Sequence, residues 1–484
     1  MKKIVIIAAL SHPNYKEKIK NRKKNIQSFW NCALLKDGQP IDFVDFQKLQ
    51  NKKNDIRHVY NNGIVLYNFF RIKKYNVHLI NTFDNIVKED IEKISKCDYI
   101  ILSTTYPGYG DRLTNIIRTI KKIKEYNPQT KIVLGGWTMY HILSTKNNSH
   151  YELFLKNIYK AGANLVIGSR QGINIAWSNI KKDLNFQGII YDSKDYPPIN
   201  PTLYNTSSLP KKFHSSHTAV TTADGCPFSC NFCSYKLLHN KINRLSINNV
   251  KQILLNLHKG RINPLKHIRF ADECFNYPYQ RITKICQMIN TLKFNFNWSC
   301  FIRIGNVDQK MVKIMKKTGC NFVSIGIESG DLNMRLRMNK NITNQEINKT
   351  IKLFKENGIK VVVSLIVGYY GENKKTIIET KKILEENKPD ITRINIWSPT
   401  NNEDKTTNAQ EFAFKRTKNG WSHSTMNEKQ AHEKAAWLYK NTKNIVFSPP
   451  FISVFDLLPW LQGKGLDKED SFNAVKKYYL KSLK

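Results

Sequence analysis

Acidic residues are scarce in this chain of 484 residues: 38 Asp and Glu stand against 77 Lys and Arg, a formal net charge of +39. A balance of that sign ordinarily points to nucleic acid or another polyanion. Here the basic residues are spread along the whole length among abundant Asn and Ile, and no basic block is interleaved with stacking aromatics. A nucleic-acid partner is therefore not expected, whereas an anionic small substrate would be favoured by the field. Long apolar runs are also lacking. None approaches the roughly 18 residues that span a bilayer, so no membrane partner is expected. Lys2-Lys3 and the β-branched run 4–10 lead into Ser11-His12-Pro13 with no small-residue cleavage pattern, which reads as a first buried strand and not as a signal peptide. A cytoplasmic protein is expected.

Cysteine is too irregular for a disulfide framework: there are 9, an odd count, and the first 225 residues contain only Cys32 and Cys97. Cys32, Cys97, Cys286, Cys300 and Cys320 lie in or beside apolar stretches, where a free thiol behaves as a small hydrophobe. Cys274 has no such ready explanation. A hydrolase-like triad is missing as well.

What is present is alternation. Strand-like runs at 3–10, 77–83, 99–104, 131–134 and 165–167 are separated by amphipathic stretches such as 111–125 and 152–161, the pattern of a doubly wound parallel sheet over residues 1–185. Ligands of such sheets bind beyond the strands' carboxyl ends, where the sequence places Ser103-Thr104-Thr105, Gly135-Gly136 and Gly168-Ser169. Glycine there lets a bulky ligand approach the backbone. Residues 186–216, with Tyr196-Pro197-Pro198 and Asn200-Pro201, read as a connector. A second alternation follows over 217–400, with strands near Ala219 and at 267–271, 298–302, 322–327, 360–367 and 393–397. Six β/α units make a partial barrel whose function lies at the strand carboxyl ends. The expected fold is thus α/β: a Rossmann-like domain, a partial (β/α)6 barrel, and a small helical region over 401–484 that supplies substrate-site residues and caps the barrel mouth.

Directly after the first barrel strand comes T-T-A-D-G-C-P-F-S-C-N-F-C-S-Y, which places Cys226, Cys230 and Cys233 at C-x3-C-x2-C spacing. Three thiolates can hold three irons of a 4Fe-4S cluster and leave the fourth iron open to a substrate group. The competing reading is a structural zinc site closed by His239, but no second paired-ligand knuckle follows before Cys274. Other strand ends carry candidates in order. They are Asp272 and Glu273 in F-A-D-E-C-F, Arg303 in W-S-C-F-I-R, Glu328 and Ser329 in S-I-G-I-E-S-G-D, and Gly368 in S-L-I-V-G-Y-Y-G-E. Two acids at a helix start would also be satisfied by the helix dipole alone. Beyond the barrel, N-G-W-S-H-S-T-M-N at 419–427 concentrates His423 with a Trp, a Thr and a Met; it reads either as a site segment or as a packed turn.

The cysteine loop resembles that of the radical S-adenosylmethionine (SAM) enzymes. The resemblance implies a 4Fe-4S cluster on Cys226, Cys230 and Cys233, with Phe232 beside the adenine of SAM. It also implies Glu328 and Ser329 at the ribose and amino group, Gly368 at the adenine, and contacts from Asp272 and Glu273 to substrate, SAM or corrin. The runs I-V-L-G-G-W and A-N-L-V-I-G-S resemble the cobalamin-binding domain found in front of many radical SAM domains. There Gly135, Gly136 and Gly168 would make room for the cofactor and Ser103, Thr104 and Thr105 would line it. The chain departs from the D-x-H-x-x-G pattern, because Leu10 and Tyr15 stand at its Asp and Gly places, so axial ligation by His12 is not expected. From the connector onward the sequence is similar to the phosphinate P-methyltransferase group of cobalamin-dependent radical SAM enzymes.

That resemblance implies cleavage of SAM to a 5'-deoxyadenosyl radical and transfer of a methyl group from methylcobalamin to an unactivated carbon or a phosphinate phosphorus. The implied partners are a small-molecule or peptide substrate and an external electron donor such as flavodoxin or ferredoxin. Alternatives stay open: a rearrangement without methyl transfer, a peptide or RNA modification, and, from another class, a non-catalytic basic Fe-S or zinc protein that binds nucleic acid. A transfer-RNA methylthiotransferase would carry a second three-cysteine cluster in its first domain, which the two cysteines before residue 226 do not supply.

Overall fold

In a computed structural model, the described residues are 1–10, 35–36, 39–40, 61–83, 86–105, 112–144, 149–169, 172–183, 187–192, 200–233, 242–399, 403, 406–417, 420–448, 454–463 and 466–483. His12, Cys32, Tyr196-Pro197-Pro198, His239 and Asn419 lie outside them. The described chain forms two compact units, one from residues of 1–15, 59–214 and 248–264, the other from residues of 215–247 and 265–484.

In the first unit six strands, β1 (Lys3–Ile7), β2 (Asn76–Ile80), β3 (Tyr99–Ser103), β4 (Lys131–Gly135), β5 (Leu165–Ser169) and β6 (Gly188–Asp192), form one sheet in the order β2-β1-β3-β4-β5-β6. Their pairings are all parallel. β1 and β3 are apolar runs with no inside-outside alternation because helices cover both faces of a parallel sheet. Ile116, Ile120 and Ile123, at three and four spacing on the helix Arg112–Tyr126, pack with Ile100, Leu102, Ile132 and Leu134 of the sheet. The strand order reverses direction at β1, so the switch point lies between β1 and β3, next to Ser103.

Two boundaries differ from those expected. β6 lies inside the stretch expected to be a connector: the run G-I-I-Y-D pairs with β5 from Leu165↔Gly188 to Ser169↔Asp192. Residues 248–264, expected in the barrel, belong by their contacts to the first unit. There the Thr206 hydroxyl donates to the Leu257 carbonyl (3.0 Å) and the Asn256 amide to the Pro201 carbonyl (2.9 Å).

The second unit is built on β7 (His217–Val220), β8 (His267–Phe270), β9 (Asn297–Ile302), β10 (Cys320–Glu328), β11 (Lys360–Val367) and β12 (Ile391–Ile396), all parallel and adjacent in chain order. An open barrel of this kind directs every strand's carboxyl end to one mouth. Cys226, Asp272, Glu273, Arg303, Glu328 and Gly368 all lie there, each at or just past a strand end.

The 401–484 region divides between the two ends of this barrel. A small antiparallel sheet, β13 (Lys415–Thr417), β14 (Gly420–His423) and β15 (Met426–Asn427), reaches the carboxyl ends through Trp421 and His423. The helices Val454–Gly463 and Lys468–Leu483, expected to cap the mouth, close the opposite end. Leu457, Leu458, Leu461, Phe472 and Val475 pack on Phe322, Val362 and Ile391 near the strand beginnings. Polar contacts there agree: Asn321 donates to Gln462 (2.9 Å), Lys360 pairs with Glu469 (2.9 Å), and Lys468 donates to the Gly358 carbonyl (3.1 Å). Apolar side chains from a terminal helix can fill a barrel base, whereas the mouth keeps its polar groups for chemistry. Among the described residues, no helix is long and apolar enough to cross a membrane.

Candidate active site

The cysteine loop is rooted in a short antiparallel pair, Ala223↔Arg244 and Asp224↔Asn243. Asp272 fixes that root by accepting from the Thr222 amide (2.5 Å) and hydroxyl (2.6 Å). Glu273 accepts from the Gly225 amide (3.2 Å), one residue before Cys226. Burial pushes both carboxyls up, Asp272 to about 6 and Glu273 to about 8. The paired acids thus hold the loop in place.

From the other side the loop is latched by the segment after the short helix Leu332–Arg337. The Asn231 amide donates to the Met338 carbonyl (2.9 Å) and its side chain to the Arg337 carbonyl (3.0 Å), while Asn339 donates to Ser229 (3.0 Å). Asn339 and Asn341 have φ of +53° and +42°, a region that asparagine tolerates better than most residues. The tight double turn delivers Lys340, which lies between them, into the site.

Lys340 is buried, and its ammonium sits 2.5 Å from the Glu328 carboxylate. Glu328 itself is unusual: it closes β10 at φ +63°, just after a register shift against β11. A non-glycine residue in that conformation stores about 1–3 kcal/mol of strain, tolerated where the surroundings over-determine it. A Cβ at Gly326 would meet the Glu328 carboxylate and lie 2.8 Å from the Lys340 ammonium, so a larger residue there would displace the pair. The same ammonium lies 5.7 Å from the centre of the Phe232 ring. Ser329, by contrast, is fully buried, its hydroxyl 3.3 Å from that of Thr380 and accepting from the Asp331 amide.

Among the cysteines, Cys230 is buried and Cys226 and Cys233 are half-buried; all three lie outside any disulfide. A hydrogen bond with Cys274 moves the Cys226 thiol down to about 6, helped by the charges of Arg303 and Lys340. Cys274 is pushed up by the same bond and by burial. The Arg303 guanidinium lies 3.4 Å from the Cys230 sulfur. A cationic surrounding of this kind favours thiolates, the form that ligates metal.

Gly368 (φ +104°) closes β11 with both backbone groups engaged: its amide donates to Glu372 (2.5 Å), and its carbonyl accepts from His423 Nε2 (3.0 Å). A Cβ at Gly368 would lie 2.7 Å from the Ala431 Cβ and 2.8 Å from the Trp421 ring. Glu372 is fully buried and pushed up to about 8 by desolvation. His423 stacks on Trp421 (5.2 Å, 6° between planes) inside an aromatic group with Tyr370 and Trp397, and burial lowers its pKa. Its Nδ1 faces the Thr425 hydroxyl (3.0 Å), so the ring is held at both nitrogens. The structure thus makes His423 a support of the Gly368 turn.

At the first unit's switch point, Asn62 donates to the Ala8 carbonyl (2.8 Å) and the Ser103 hydroxyl (2.6 Å), and Ser103 to Thr105 (3.3 Å). Thr104 donates to the Gly135 carbonyl (2.9 Å). The three candidate glycines differ. A Cβ at Gly168 would strike Leu143 at 2.5 Å, and one at Gly136 (φ +104°) would strike Thr105 at 2.7 Å. A Cβ at Gly135 would meet nothing nearer than 3.8 Å. Three buried polar atoms have no hydrogen-bond partner along this edge: Asn62 Oδ1, Thr82 Oγ1 beyond β2, and Thr138 Oγ1 beyond β4.

Lys340, Glu372, Asn276, Asn62, Thr82 and Thr138 were not singled out from sequence. Only Lys340 carried a local signal, the flanking asparagines of a turn; the others are polar residues whose role depends on long-range packing.

Comparisons with known proteins agree with this arrangement. Residues 220–384 match the profile described as the Radical SAM superfamily. The chain is 30% identical over 181 residues to an uncharacterized methyltransferase of Pyrococcus horikoshii, covering 37% of this chain and 39% of that relative. It is 25% identical over 369 residues to a putative methylthiotransferase of Methanocaldococcus jannaschii, covering 70% of this chain and 75% of that relative. The fold is similar to that of the cobalamin-dependent S-adenosylmethionine radical enzyme OxsB, whose structure has aqua-cobalamin and S-adenosylmethionine bound. The TM-score is 0.52 and the identity 17%, over 80% of this chain and 52% of the other.

Proposed function

Because residues 220–384 are a radical SAM domain in a chain that folds like a cobalamin-dependent enzyme of that superfamily, we propose that the protein is a cobalamin-dependent radical SAM methyltransferase. The observation that carries this reading is the set of three cysteines outside any disulfide at the barrel mouth, in a cationic setting with a buried Glu–Lys pair beside them. Cys226, Cys230 and Cys233 would hold a 4Fe-4S cluster, which would supply the electron for SAM cleavage, and the first unit would hold a cobalamin as the methyl carrier.

The chain's own residues hold and exclude. Asp272 and Glu273 anchor the cysteine loop, and Asn231 with Asn339 fastens its far side. The Glu328 carboxylate and Lys340 ammonium are complementary to the ammonium and carboxylate of an amino-acid tail. Glu372 and His423 pin the Gly368 turn from both sides, and the aromatic group behind it excludes water.

The first unit suits a large ligand with a neutral amide rim. The unpartnered atoms along its carboxyl edge, on Asn62, Thr82 and Thr138, are amide and hydroxyl oxygens, and a Cβ at Gly135 would meet nothing nearer than 3.8 Å. Cobalamin carries such amides. A small-molecule or peptide substrate, methylated at carbon or at a phosphinate phosphorus, and an external one-electron donor complete the reading. Methylthio transfer, suggested by the Methanocaldococcus relative, is the second reading.

The test is single turnover with SAM and dithionite after anaerobic cluster reconstitution. Wild type is expected to release 5'-deoxyadenosine and Cys230→Ala none. A Cys230→Ala variant that releases it at the wild-type rate removes the cluster assignment. Retention of added cobalamin separates methyl transfer from methylthio transfer.

A further inference from the structure

Arg303 is fixed more firmly than a residue at a barrel mouth needs to be. It follows β9, and its backbone amide and carbonyl are both bound by the buried Asn276 side chain (3.0 and 2.9 Å). Its guanidinium lies over the Phe228 ring at 4.0 Å. Nη2 donates to the Lys340 carbonyl at 2.6 Å, and Nη1 points at the Cys230 sulfur at 3.4 Å. Phe228 and Cys230 belong to the same C-P-F-S-C run, so the ring positions the guanidinium for the sulfur two residues further on.

Hydrogen bonds and positive charge at a ligating sulfur stabilise the cluster state that carries the extra electron. We propose that Arg303 sets the reduction potential of the cluster by donating to the Cys230 sulfur. The consequence is a cluster that accepts an electron more readily from a flavin or iron-sulfur donor than its three thiolates alone would allow. This inference rests on the cluster reading above.

The experiment is an EPR-monitored redox titration of the full chain after anaerobic reconstitution, comparing wild type with Arg303→Gln and Arg303→Lys. Arg303→Gln is expected to keep its iron and sulfide and to weaken reduction about tenfold, a fall of about 59 mV for a one-electron couple. Arg303→Lys keeps the charge but loses the planar fork and falls in between. A loaded Arg303→Gln cluster at the wild-type potential overturns the proposal. If the glutamine variant loses its iron, the lysine variant decides, and an unshifted potential there overturns it equally. If wild type itself assembles no cluster, the cluster reading fails, and this inference with it.

Discussion

The carboxyl ends of the two parallel sheets differ in how their polar groups are settled. At the barrel mouth the charged groups are matched by the protein itself: Glu328 by Lys340, and Arg303 by Cys230 and the Lys340 carbonyl. Along the carboxyl edge of the first unit's sheet Asn62, Thr82 and Thr138 each leave a buried oxygen without a partner. A buried polar atom left unpaired costs about 1–3 kcal/mol, so such atoms at a ligand-binding edge are best understood as reserved for a ligand. The difference teaches that charge must be paired before a ligand arrives, because an isolated buried charge is far more costly than an unpaired hydroxyl.

Breaking the matched side should have the larger effect. Lys340→Met strands the Glu328 carboxylate in a buried position and is expected to lower stability by about 3–5 kcal/mol, read as a shifted denaturation midpoint. A change under about 1 kcal/mol would mean that the pair is solvated, and the contrast between the two edges would be lost.

The glycines sharpen the contrast within the first unit. Gly168→Ala drives a Cβ into Leu143 and is expected to cost about 1–3 kcal/mol with no specific ligand effect. Gly135→Leu starts from a Cβ that makes only an ordinary contact, 3.8 Å to the Ile167 carbonyl, so it should cost less stability than Gly168→Ala while added cobalamin is no longer retained on desalting. Unchanged retention would remove Gly135 from the site.

Thr138→Val replaces an unpartnered hydroxyl by a methyl of similar size. The ligand-free protein is expected to gain up to about 1 kcal/mol, and cobalamin affinity to fall several-fold by equilibrium titration. A stability loss instead would show that the hydroxyl has a structural partner.

A further effect is a pH dependence at the mouth. Glu372 has a folded-state pKa of about 8 against an ordinary 4.5, so over that range the folded chain holds a proton that the unfolded chain has lost. Its contribution therefore makes stability fall as pH rises towards 8. Glu372→Gln should flatten the decline in Tm between pH 6.5 and 8, and an unchanged slope would assign it to other groups.

Much of this was legible in the sequence because local chemistry dictates it. The apolar runs of β1, β3, β4 and β5 announced a parallel sheet, and C-x3-C-x2-C after β7 announced the cysteine loop. β6 was missed because five residues of mixed polarity carry no period of their own and become a strand only by pairing with β5. The terminal helices were assigned to the wrong end of the barrel because amphipathicity shows that a face is buried but not which surface buries it. Lys340 went unread because its partner, Glu328, is brought to it by a turn and a bulge whose geometry no spacing encodes.

The central claim is that one chain holds both a three-cysteine cluster and a cobalamin. Its most direct test is the absorption spectrum after anaerobic reconstitution with iron, sulfide and hydroxocobalamin, followed by desalting. The account predicts a cluster shoulder together with retained corrinoid bands that disappear in Gly135→Leu while the shoulder persists. A cluster without cobalamin in the wild-type protein would contradict it.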